Sequence, residues 1–314
     1  MPLEIPTIKL NNGVQMPVFG LGTWQEQNVC QIVKDAIDMG YRLFDCGYIC
    51  KIQRLIGTAF QEKLHQGVVT RKDLFIISKL WCNVRRPDLI APAILKTLKN
   101  LETTYLDMVL IHWPMAFQQG EELHPKNVET GEYLYSNVDY IDTWKQLETL
   151  YRKKLIRAIG VSNFNMEQIQ RILNNCAVFP QVNQMECHPY FHQKQLRTFC
   201  ENNGIIVSSD LPLGPQEDEF ENLNFIRDPN IEEIANRYRK YPEQILLKYN
   251  IQLGNVVIQN THSKSSMAKN LNIFDFYLAL EDMSYLNSFN RNERMLRFEE
   301  AKQHPYYPFN CDEF

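Results

Sequence analysis

Eight short apolar runs rich in Val, Ile and Leu recur from one end of the chain to the other, and a longer stretch with helical periodicity separates each from the next. Parallel strands cannot be joined by a tight turn, so this alternation predicts a parallel sheet with a helix in each crossover. The runs are 17–22 (PVFGLG), 42–46 (RLFDC), 74–80 (LFIISKL), 107–113 (DMVLIHW), 156–161 (IRAIGV), 180–186 (PQVNQME), 204–209 (GIIVSS) and 255–259 (NVVIQ). Eight strands predict an α/β fold closed as a (β/α)8 barrel, which accommodates residues 1–314 as a single domain. Val29, Val33, Ala36 and Ile37 form one helical stripe, with Gly40 placed to end it, and Ile141, Trp144, Leu147 and Leu150 form another. Both are read as faces packed on the sheet, without chemistry. Ahead of the first run, TIKLNNGVQMP predicts two short strands joined through Asn11, Asn12 and Gly13, a hairpin that could plug the barrel floor. The tail beyond Asp282, ending HPYYPFNCDEF, is expected as an ordered surface segment.

Composition narrows the partners. Hydrophobic content of 44% with 22% charged residues suits a chain that buries a full core. A net charge of −4 with interspersed signs leaves no basic stripe for nucleic acid, and no apolar run approaches the roughly 18–20 residues that span a bilayer. Without a leader pattern, a cytoplasmic protein is expected. The eight cysteines include no CxxC pair, which suits reduced thiols, and the Asp45, Cys46 and Cys50 loop lacks a histidine, so no metal site is expected. The expected partner is a small molecule or another protein, and the expected state a monomer.

In such a barrel the chemistry sits where strands end. The polar residues there are Asp45, Lys79, His112, Ser162 with Asn163, Gln184, Glu186 with His188, Asp210 and Asn260, joined by Trp24 and Trp113. Each alone reads as a satisfied structural group, but an acid, an amine, an imidazole and an amide converging on one rim are what carbonyl chemistry needs.

GLGTW, GYRLFDC, ISKLW, LIHWP, GVSNF, VNQMECHPY and IFDFYL, in this order over essentially the whole chain, resemble the aldo-keto reductase family, aldose reductase branch. The resemblance implies a TIM barrel that binds NADPH across the rim and reduces aldehydes or ketones through an Asp, Tyr, Lys and His tetrad. Asp45, Lys79 and His112 match three of the four. Ser162, Asn163 and Gln184 match partners of the nicotinamide carboxamide. Thr23, Trp24, Asp210, Leu213, Asn260, Thr261, Ser266 and Asn270 match other cofactor-contacting positions, and Trp24, Tyr48, Trp113 and Phe220 a substrate pocket.

The match breaks at the proton donor. The family pattern places a Gly twelve residues after the acid, as Gly57 stands to Asp45, so the catalytic Tyr position is Cys50, and Tyr48 occupies a variable position. A thiol is shorter than a phenol, and beside the Lys79 ammonium it inclines to thiolate, which has no proton to give. A lost general acid typically costs about 10²- to 10⁴-fold in rate. The cofactor positions depart too: Asn260 and Ser266 replace a Lys and an Arg that hold the 2′-phosphate, Asp210 replaces a stacking Tyr, Pro215 a Ser, and Gln25 a Lys. Lys264 and Lys269 remain to recover part of the attraction. These departures imply a pseudoenzyme that binds a small carbonyl compound or a protein partner. The alternatives are a weak or specialised NADPH-dependent carbonyl reductase using His112 as proton donor, and an oxidisable Cys50 acting as a redox sensor. Specificity is expected to reside in the loop 115–139 and the tail.

Overall fold

Val, Ile and Leu occupy both faces of most predicted strands, the pattern of a sheet buried on two sides. In the computed structural model, which describes residues 5–23, 28–47, 52–214, 225–261 and 263–310, those segments close on themselves. Strands β3 (Phe19–Gly22), β4 (Leu43–Asp45), β5 (Phe75–Leu80), β6 (Met108–Ile111), β7 (Ile159–Ser162), β8 (Val182–Glu186), β9 (Ile206–Asp210) and β10 (Val256–Asn260) form a closed parallel barrel, with β10 pairing β3. The predicted (β/α)8 architecture is therefore the one observed. Leu43, Ile77, Leu110, Val182 and Ile258 fill the interior, while Phe44, Ile76, Val109, Ile111 and Val161 face the helices.

The predicted hairpin is β1 (Thr7–Lys9) paired antiparallel with β2 (Gln15–Pro17), its turn closed by Gly13 at φ 87°. It plugs the barrel floor as expected, because Leu10 and Met16 enter the interior cluster. At about 1.5–3 kcal/mol per fully buried large apolar side chain, those two hold the hairpin down. Pro17, predicted to begin the first barrel strand, instead ends the hairpin, because its pairing partner is Thr7.

Both predicted helical stripes are buried, on α1 (Val29–Met39) and α4 (Tyr140–Arg152). Gly40 ends α1 at φ 109°, where its N–H reaches Ile37 O and the Tyr41 N–H reaches Ala36 O, a left-handed stop that favours glycine. On α2 (Gln53–His65), Gly57 packs where a Cβ would collide with the backbone of Asn100 and Leu101, at the end of α3 (Pro87–Asn100). Helices α5 (Met166–Leu173) and α6 (Lys194–Asn202) follow β7 and β8. Two helices, α7 (Pro229–Tyr238) and α8 (Pro242–Gln252), separate β9 from β10, and α9 (Lys264–Leu271) and α10 (Leu280–Asn287) follow.

The tail departs from expectation. Among its described residues, which run to 310, Ala301, His304 and Tyr307 are buried; Ala301 and Tyr307 join Trp81, Trp113 and Phe117 in an aromatic cluster over the carboxyl end of the barrel, and His304 lies edge-on to Tyr135 at 5.1 Å. A tail so rich in aromatic rings gains more by burial than by lying on the surface. No helix among the described residues is long and apolar enough to cross a membrane.

Candidate active site at the carboxyl rim of the barrel

Asp45 closes β4 and pairs in register with Ile77, so Lys79, two residues on, emerges beside it on the same face of the sheet. The Lys79 Nζ donates to Asp45 Oδ2 at 2.6 Å, and Gln184 Nε2 donates to the same oxygen at 3.1 Å. Thr23 Oγ1 donates to the Asp45 carbonyl at 2.8 Å, which holds the strand end. Asp45 Oδ1, Gln184 Oε1 and His112 Nδ1 are buried with no hydrogen-bond partner among the described residues. A buried polar atom left unpaired costs about 1–3 kcal/mol, so Asp45 and His112 at one cavity, with Gln184 beside Asp45, mark where a ligand's polar groups would bind.

His112 follows β6, with its backbone N–H on Leu80 O and its ring edge-on to Trp81 at 5.1 Å. Burial drives its pKa well below 6.5, helped by the Lys79 and Arg85 charges, so the imidazole is neutral at physiological pH. Arg85, unremarked in the sequence, is buried and donates to Trp113 O at 2.6 Å and Met115 O at 3.1 Å, fixing the loop that follows His112. Ser162 ends β7, and Asn163 takes a left-handed φ of 60°, which asparagine tolerates better than most residues. From there Asn163 donates to His112 O, and its backbone N–H to Gln184 O. The predicted amide group of Ser162, Asn163 and Gln184 is thus assembled. Asp210, at the end of β9, lies on the same rim, and its carboxyl pKa is raised by burial while Lys79 opposes the shift.

Asp45, Lys79, His112 and Asp210 open into a cavity of about 380 Å³, which Ser162, Asn163 and Gln184 do not line. Its base holds Asp45, Lys79, His112 and Asp210, and its walls include Trp113 as expected, with Trp81, Leu296 and Phe298 in addition. Phe298 sits at φ 54°, rare for an aromatic residue, and its ring lies 5.3 Å from Trp113 and 6.0 Å from Trp81. Trp81 stands two residues past Lys79, whereas Leu296 and Phe298 come from the tail. Glu186 brings them there. Its carboxylate accepts the Met295 N–H on both oxygens (2.9 and 3.1 Å), the Leu296 N–H at 2.8 Å and His188 Nε2 at 2.9 Å. Glu186 and His188, inspected as rim residues, are fully buried beneath the tail and do not line the cavity.

A second cavity of about 180 Å³ lies farther along the rim. Leu213, Asn260, Thr261, Ser266 and Asn270, all predicted cofactor positions, line it together, and Asn260 also lines the first cavity. Tyr241 and Glu243, at the start of α8, line it as well and carried no signal in the sequence. Lys269 lines it, but the Lys264 ammonium is bound to Asp35 at 3.2 Å. Trp24, Gln25, Tyr48, Cys50, Pro215 and Phe220 lie outside the described residues.

The buried acid–amine pair, the neutral imidazole and the amides sit at the carboxyl rim, where barrel enzymes carry their chemistry. The aldo/keto reductase family model matches residues 17–291. Over 96% of this chain and 97% of the other, the sequence is 39% identical to aldo-keto reductase family 1 member A1 of Gallus gallus. At the same coverage it is 37% identical to prostaglandin F synthase 1 of Bos taurus. The aldose reductase structure from Schistosoma japonicum superposes with a TM-score of 0.93 at 37% identity, covering 98% of this chain and 99% of that one. The chain belongs to the aldo/keto reductase family.

Proposed function

We propose that the chain is a dinucleotide- and carbonyl-binding member of its family whose reductase turnover is held back at proton delivery. The observation that carries this reading is the Asp45–Lys79 pair at 2.6 Å, with Gln184 on the same oxygen, at the base of an aromatic cavity. Members of this family generally use NADP(H). The nicotinamide end of such a group fits this rim, because the unpaired Gln184 Oε1 can accept an N–H of the carboxamide beside Ser162 and Asn163. Bound there, the dinucleotide would supply the hydride.

The remaining chemistry falls to the protein. Neutral His112 can orient a carbonyl oxygen by one hydrogen bond, and the Lys79 ammonium can stabilise negative charge developing on that oxygen. Neither replaces a phenolic acid. The depressed His112 pKa counts against the imidazole as donor, since the neutral ring releases a proton far less readily than the imidazolium. By the resemblance, Cys50 stands where the phenol would be. Trp81, Trp113 and Phe298 offer an apolar wall, so the ligand expected is a small carbonyl compound with an apolar body.

The test is Cys50→Tyr, assayed for dinucleotide-dependent reduction of an aromatic aldehyde, with dinucleotide affinity measured in parallel by tryptophan quenching. Unchanged affinity and a rate at least about a hundredfold above the natural chain are expected. A natural chain that already turns over as fast as the variant, or that binds no dinucleotide, refutes the reading.

A further inference from the structure

The second cavity is chemically unlike a phosphate site. Its described walls carry one carboxylate, Glu243, and one ammonium, Lys269, whose Nζ lies over the Tyr241 ring at 4.3 Å. No guanidinium lines it among the described residues. Several donors are committed: Gln244 Nε2 donates to Lys269 O and Asn272 O, Asn270 Nδ2 to Thr261 Oγ1, and the Ser266 N–H to Ser263 Oγ. Glu243 makes no ion pair among the described residues. A cavity whose one carboxylate offsets its one ammonium, with no guanidinium among its described walls, suits hydroxyl donors better than a dianion.

Asn260 lines both cavities, so a ligand seated in the first and extended along the rim past Asn260 enters the second. We propose that this cavity takes the unphosphorylated ribose of a dinucleotide, with Glu243 accepting from its hydroxyls, so that the chain selects NAD(H) over NADP(H). The 2′-phosphate of NADP(H) does not fit the residues present. The inference rests on the dinucleotide-binding reading above and adds which dinucleotide is held.

The experiment is equilibrium titration of the full chain with NADH and NADPH, and with the fragments 5′-AMP and adenosine 2′,5′-bisphosphate. A charge-assisted phosphate contact is worth about tenfold or more, so NADH should bind at least about tenfold more tightly than NADPH, with the fragments in the same order. Glu243→Gln should bring the ratio toward unity by weakening NADH and strengthening NADPH, and Asn260→Lys with Ser266→Arg should reverse it. NADPH binding as tightly as NADH, or a ratio unmoved by Glu243→Gln, overturns the selectivity while leaving the dinucleotide reading intact. Binding of neither dinucleotide overturns both.

Discussion

Removing the amine of the rim pair tests whether it is the desolvated unit its geometry describes. Asp45 is 6% exposed, its Oδ2 is shared by Lys79 and Gln184, and its Oδ1 has no partner among the described residues. Lys79→Met keeps the length and the apolar stem but leaves a buried carboxylate with one neutral donor. Breaking a buried pair by deleting one partner costs about 3–5 kcal/mol, because the surviving charge stays out of water. With an unfolding entropy of about 2.1 cal/mol/K per residue, a chain of 314 residues loses about 5–8 °C in Tm for that free energy. Asp45→Asn combined with Lys79→Met removes both charges and should recover most of the loss, giving a coupling of about 2–4 kcal/mol in the double-mutant cycle. Circular dichroism melts of the four proteins at neutral pH measure it. If Lys79→Met melts within about 2 °C of the natural chain, or the two substitutions add without coupling, the carboxylate is hydrated through the rim. The electrostatic role given to the pair then fails.

Two further outcomes follow from buried titrating groups. Burial lowers the pKa of His192 and of His304 from 6.5 to about 4 in each case, and lowers that of His112 in the same direction. The unfolded chain therefore takes up protons first as pH falls below 6.5. The stability these histidines contribute is complete above that pH and declines toward about 4, by at most about 1.4 kcal/mol per unit for each, so a urea midpoint that stays flat from pH 7 to pH 5 contradicts the assignment. At Glu186, hydrogen bonds from His188, Met295 and Leu296 outweigh burial and hold the carboxyl pKa below its usual value. Its contribution is present at neutral pH and is lost only as strongly acid conditions protonate it. Glu186→Gln replaces one accepting oxygen with an NH₂ facing backbone N–H groups, at a cost of about 2–4 kcal/mol. Hydrogen exchange at Met295 and Leu296 should accelerate, and unchanged protection would show that the tail is held by its rings alone.

How far the molecule could be read from its residues depends on which force holds each part. The strands and helical faces were legible because burial imposes a period, and a run such as LFIISKL admits few other placements. The acid–amine pair was legible for a related reason: strand ends in a parallel barrel share one rim, and the register of β4 on β5 makes Asp45 and Lys79 neighbours. Gly57 is anchored by a backbone contact at the end of α3 that admits no Cβ.

The cavity walls followed no period. Leu296 and Phe298 reach the rim because one carboxylate, Glu186, takes backbone amides that lie 109 and 110 residues along the chain. A backbone amide has no side-chain identity, so the tail sequence carries no mark of that contact. Tyr241 and Glu243 escaped for a similar reason, since their cavity also draws on Leu213, Asn260 at the end of β10, and Ser266 and Lys269 on α9. The departures from the family pattern at Asn260 and Ser266 showed that two cations were missing. Only the assembled walls show a carboxylate in the same cavity, and the proposed preference for the unphosphorylated dinucleotide rests on it.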